Sequence, residues 1–90
     1  MYFEWDPKKA RTNRHKHGVT FEEASSALRD PLSATAYDPD HSVHEDRFVT
    51  FGISSRGRLL TVAHTERGNA IRIISARPAT TSERQIYEQG

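Results

Sequence analysis

The stretch Lys8–Lys16 carries Lys8, Lys9, Arg11, Arg14 and Lys16 with no acidic residue, and His15 and His17 are interleaved with them. Such a run is either a solvated helical face or one wall of an anion site. Further along, Arg47, His64, Arg67, Arg72 and Arg77 lie on or beside β-rich segments. A guanidinium is a planar fork that matches two phosphoryl oxygens, so arginines gathered on a sheet point to a phosphate. For any one of them alone, a salt bridge to Glu45, Glu66 or Glu83 serves equally well. Side-chain alternation separates Arg72, in phase with Ile74, from Arg77, in phase with Ile73 and Ser75. A bulge or a strand end has to reorient Arg77 before both can face one ligand. Asp38, Asp40, His41, His44, Glu45 and Asp46 are metal-ligand types. No helix fixes their spacing and no zinc pattern appears, so turn chemistry accounts for them and neither a metal nor a cofactor is expected. No nucleophile elbow, phosphate-binding glycine loop or dinucleotide fingerprint is present.

These residues need a scaffold to bring them together. "YFEW" alternates aromatic and acidic residues and predicts a short first strand. Asp6 and Pro7 then open a helix, the aspartate capping free N–H groups and the proline fitting the first helical position. It should run to about His17 and end on a left-handed Gly18. Ala10 is the only apolar residue of that helix, so Asn13 and His17 share the face that must meet the sheet. They either seat the helix as hydrogen-bonded polar groups or present chemistry. Thr20 and Glu23 form a capping box for a second helix, with Val19 and Ala24 stapling its entry and Asp30-Pro31 stopping it.

From Pro31 to Asp46 the chain is turn-rich, with a tight turn at Tyr37-Asp38-Pro39-Asp40. "RFVTFGIS", "RLLTVAHT" and "AIRIISAR" follow as strands joined by short glycine-containing connections, the pattern of an antiparallel meander. Thr80 and Glu83 open a last helix through Tyr87. The order β-α-α-β-β-β-α predicts a single α+β domain over residues 1–90, an antiparallel sheet flanked by helices.

Ninety residues give room for one modest core. There is no cysteine, which excludes disulfides and thiolate metal sites and fits a reducing cytoplasm. No apolar stretch has the length of a signal peptide or a membrane span, so a cytoplasmic protein without membrane attachment is expected. Net charge is only +1, so charge distribution rather than total charge carries the anion argument.

The blocks "FEWDPKKARTNRHKHGVTFEEA", "EDRFVTFGISSRGRLL", "TERG" and "IRIISARPATTSERQIY" occur in order and together resemble the BrnT family, the ribonuclease halves of bacterial type II toxin–antitoxin pairs. The resemblance runs from Phe3 to Tyr87. It implies a fold similar to the RelE ribonucleases, cleavage of RNA, and neutralisation by a BrnA-type antitoxin. That antitoxin would be a DNA-binding dimer, and its complex with the toxin would repress the operon. Pro78 departs from the pattern, standing where the family is expected to carry a lysine, and so removes one phosphate contact.

The residues can support such a reaction. An RNA 2′-hydroxyl attacks its own phosphate, so no metal is required. The protein must move protons and stabilise charge on the phosphoryl oxygens. His17 and His64 are the candidate acid or base, and Arg67, Arg72 and Arg77 the candidate charge stabilisers, with Tyr87 as a further proton or stacking group. Lys16, Arg14, Arg11 and Arg47 are the expected RNA-binding residues. The alternative is a non-catalytic module that binds RNA or an acidic protein through the same charges.

Overall fold

Local signals set the elements of the computed structural model, which describes residues 2–90. After strand β1 (Tyr2–Glu4), Asp6 accepts a hydrogen bond from the Lys8 amide and Pro7 opens helix α1 (Pro7–His17). Gly18 ends it at φ 69°, in the left-handed region where a side chain is penalised. Thr20 caps helix α2 (Phe21–Leu28) through the Glu23 amide, and Val19 and Ala24 are both fully buried at its entry. The reciprocal half of that capping box is absent, because the Glu23 carboxylate turns to Ser54 and Arg58 instead. Thr80 and Glu83 make the complete box at the start of helix α3 (Thr81–Gln89).

Between α2 and α3 lie β2 (Ala34–Tyr37), a 3-10 turn at Pro39–His41, β3 (Arg47–Ile53), β4 (Leu59–Arg67) and β5 (Ala70–Pro78). The last three form the expected meander. The turn-rich segment also contributes β2, which the sequence pattern did not show. The sheet order is β1-β5-β4-β3-β2, antiparallel throughout except that β1 lies parallel to β5. The α+β fold and its element order are as expected, with the short β1 pairing parallel at one edge and β2 added at the other.

Helices α1 and α2 cover one face of the sheet. Phe21, Ala24 and Ala27 of α2 pack with Val19, Leu60, Val62, Ile73 and Ala76, all essentially inaccessible. The approach is close enough at Gly52 that a Cβ there would overlap the carbonyl oxygen of Ala27. Glu23, buried in α2, is held by Arg58 and Ser54 of the β3–β4 hairpin, and these hydrogen bonds keep its carboxyl below the usual range.

Helix α1 docks differently, as its single alanine requires. Asn13 is 6% exposed, donates to the carbonyls of Val19 (3.0 Å) and Ala76 (2.8 Å), and accepts from the Ala76 amide (3.0 Å). One amide side chain thus seats a polar helix on the part of β5 that β1 leaves unpaired.

Helix α3 sits against the opposite face at one end, with no buried residue of its own. Polar ties hold it there: Glu83 to Arg77 and Thr61, and Tyr87 to Asp30. Most of that second face is uncovered.

Candidate active cleft on the open sheet face

Strand register decides which side chains share the open face. Arg77 is opposite Thr61, Ser75 opposite Ala63 and Arg72 opposite Thr65. Thr61, Ala63 and Thr65 alternate regularly along β4, so all three β5 partners lie on one side. The register shifts between Ala63 and His64, leaving Ile74 as an extra residue in β5. This bulge removes the phase conflict between Arg72 and Arg77. On β3, Arg47 is opposite Thr65 and therefore in one row with Arg72, while Phe51 is opposite Thr61 in the row of Arg77. The two rows are about 13 Å apart along the strands.

A cavity of about 490 Å³ occupies this face. Arg77 and Glu83 stand at one end, and Asp38, His41 and Arg47 line the other. Arg77 gives Glu83 a bidentate ion pair at 2.7 and 2.8 Å, and Glu83 also accepts from Thr61 and from the Thr80 amide. The Arg77 guanidinium is the main reason that the Glu83 carboxyl is pulled down to about 2. Two of the five guanidinium N–H groups are used in this pair and a third reaches the Pro78 carbonyl at 3.4 Å, which leaves two for a ligand. Arg47 is less committed. Its Nε is buried with no hydrogen-bond partner and lies 3.9 Å from the Glu45 carboxylate, beyond hydrogen-bond range. Arg72 is half-buried, and among the described residues its side chain forms no ion pair.

A second hollow of about 300 Å³ lies where α1 meets the free edge of β5. It is lined by Lys8, Lys9, Lys16 and His17 and shares Ile74 and Ser75 with the first cavity. The bulge is thus also the saddle over which the arginine face continues into the lysine face of α1. Arg11 and Arg14 are on the other flank of that helix, in a shallow depression with Thr20, Phe21 and Glu22.

The remaining candidates lie elsewhere. His64 follows Leu60 and Val62 onto the helix-covered face, is 4% exposed, bonds Thr50 Oγ1 through Nε2 at 2.7 Å and stacks on Phe48. Burial lowers its pKa, opposed only by nearby Glu66, and its Nδ1 is without a partner. Arg67 ends β4 in an exposed ion pair with Glu45 at 3.5 Å. The Tyr87 hydroxyl donates to Asp30, which lowers the carboxyl's pKa and raises the phenol's. Sequence reasoning missed Glu83, Asp38 and His41 as parts of the cleft. Glu83 had been accounted for as a helix cap, and only the observed sheet brings the Asp38–His41 turn over Arg47.

Among the described residues no three histidine, aspartate or glutamate side chains converge on a metal-sized position, and no helix is long and apolar enough to cross a membrane.

The chain is similar to known proteins in two respects. A solved structure, that of the Brucella abortus ribonuclease toxin BrnT, superposes with a TM-score of 0.65 over 90% of this chain and 99% of that one, at 26% identity. No curated protein sequence matches significantly. The family profile described as "Ribonuclease toxin, BrnT, of type II toxin-antitoxin system" matches residues 5–83, a span that includes the arginine strand, the basic helix and the cap of α3. The chain belongs to the BrnT family of type II toxin–antitoxin ribonuclease toxins.

Proposed function

We propose that this protein is a metal-independent endoribonuclease acting in the cytoplasm, and that its RNA lies across the open sheet face. Arg47, Arg72 and Arg77 hold phosphates there, and the strand continues over Ile74 and Ser75 onto Lys8, Lys9 and Lys16, with His17 beside them. The observation that carries this reading is the bulge at Ile74. It turns two arginines of opposite phase onto one face and at the same point joins that face to the basic helix. Preorganised cations in a cleft stabilise the extra charge of a phosphorane-like transition state without reorganisation at the moment of reaction. The attacking group is supplied by the RNA itself, as its 2′-hydroxyl. In this reading His64 and Tyr87 act from outside the cleft, His64 by holding β3 to β4 and Tyr87 by tying α3 to Asp30, while Arg67 flanks the RNA path.

Incubating the purified protein with naked RNA, with and without EDTA, tests the proposal. Cleavage that survives EDTA and leaves 2′,3′-cyclic phosphate ends is expected. Cleavage lost with EDTA would overturn the metal independence, and binding without cutting would make the chain a non-catalytic module.

We further propose a BrnA-type antitoxin as partner, a DNA-binding dimer whose complex with this chain represses the operon. An acidic antitoxin segment would meet the charges that RNA needs, so inhibition should compete with RNA. Antitoxin affinity that is unaffected by saturating RNA would place neutralisation on another surface.

A further inference from the structure

The Arg47 end of the cleft holds a pair of groups that the charge argument does not use. The His41 imidazole lies on the cavity wall and its Nδ1 is 2.8 Å from Asp38 Oδ2. With a carboxylate as the partner, Nδ1 carries the hydrogen and Asp38 accepts it, so in the neutral imidazole the lone pair is on Nε2. The surrounding turn is tied at several points. Ser42 Oγ donates to the Asp38 carbonyl and accepts the Arg47 amide, and the Asp38 amide donates to the Arg47 carbonyl at 2.9 Å. The turn that carries the imidazole is thereby fixed to the strand that carries Arg47. Arg47 shares its row with Arg72 across Thr65, two strand spacings or about 10 Å between backbones, a gap that two arginine side chains can close on one phosphate.

We propose that His41 is a catalytic base of this cleft, taking the proton of the attacking 2′-hydroxyl at Nε2, and that Asp38 is its positioning residue; the inference rests on the ribonuclease reading above. The O2′–P bond forms as the P–O5′ bond breaks. The hydroxyl proton passes to Nε2, and the departing 5′-oxygen takes a proton from solvent. Arg47 and Arg72 carry the charge on the non-bridging oxygens, and the Asp38 carboxylate answers the imidazolium that results. His41 is two-thirds exposed (67% of its side chain), so replacing it costs the fold little, and a free imidazole molecule can reach the space it leaves.

Single-turnover cleavage of a short RNA by the parental protein, His41→Ala and Asp38→Asn tests this. His41→Ala should lose about 10²–10⁴-fold in rate, the range of one acid–base group, with an unchanged melting temperature. Added imidazole should restore part of that loss and leave the parental rate unaltered. Asp38→Asn should lower the maximal single-turnover rate with the half-saturating protein concentration unchanged, because binding does not depend on the imidazole's orientation. A His41→Ala protein that cuts at the parental rate, or whose loss imidazole does not touch, overturns the assignment and leaves the ribonuclease reading standing. A parental protein that leaves RNA intact overturns both.

Discussion

Arg72 and Arg77 are five positions apart, an odd spacing that should put them on opposite faces of a strand, yet they stand on the same face because Ile74 is an extra residue between them. The site therefore depends on an irregularity of the ladder. Arg72→Ala should abolish RNA cleavage with stability almost unchanged, since its side chain holds no ion pair among the described residues. Arg77→Ala should abolish cleavage too, but also cost about 1–2 kcal/mol by removing the ion-pair partner of Glu83, so Arg77→Lys is the better companion variant. Folded Arg72→Ala protein that cuts at the parental rate would remove Arg72 from the site.

The two flanks of α1 should separate in a salt titration. Lys16 lines the hollow that joins the cleft, whereas Arg14 faces Thr20 and Glu22 on the other side. Lys16→Ala should flatten the dependence of log K for RNA on log salt by about one unit, with Arg14→Ala giving a smaller change. Equal slopes for both variants and the parent would make the whole helix an ordinary solvated surface. Charge reversal at each position, assayed separately against the antitoxin, shows which flank the partner covers.

Acid stability should fall in two windows. His64 is kept neutral by burial, so its folded pKa lies below the ordinary 6.5 and the unfolded chain takes up the proton first. Its contribution is complete above that value and is lost as pH falls through the folded value. Glu83 goes from 4.5 unfolded to about 2 folded, so its contribution is complete above 4.5 and fades toward pH 2. With Arg77 partly exposed and screened by solvent, that contribution is on the order of 1–2 kcal/mol. Urea melts across pH should show the upper window disappearing in His64→Gln and the lower one in Glu83→Gln. If either variant keeps its window, another group is responsible.

Gly52→Ala should destabilise by about 2–3 kcal/mol, although the change adds one methyl group to a core strand. The added Cβ would meet the Ala27 backbone, and a carbonyl of α2 cannot swing aside as a side chain can. A melting temperature equal to the parent's would show that α2 shifts freely on the sheet.

Most of the scaffold was legible in the sequence because its signals are local. Asp6-Pro7, Gly18, Thr20 and the Thr80–Glu83 box each mark a boundary within a turn of chain. The meander was legible from its short connections. Strand β2 was hidden because Ala34–Tyr37 is only four residues long, has no bulky aliphatic residue, and takes its place by pairing with β3. The parallel pairing of β1 was hidden for the same reason, since its partner lies 68 positions away at Ala70. Asn13 was correctly read as a possible seat for α1, because a helix with one alanine needs some polar means of docking. The cleft was harder to see. The conflict between Arg72 and Arg77 could be stated from alternation, but nothing local announces a bulge at Ile74. The Asp38–His41 pair read as turn chemistry, which it also is.

The position of β5 has a consequence for how the protein is made. This strand follows every other strand in the chain, yet it pairs with β1 on one side and β4 on the other, and its Ala76 backbone is the seat for Asn13. Until β5 is in place, β1 has no neighbour, α1 has nothing to dock on, and Arg72 and Arg77 have no open face to stand on. The cleft is therefore assembled only when β5 is in place, and no earlier part of the chain can form it piecemeal.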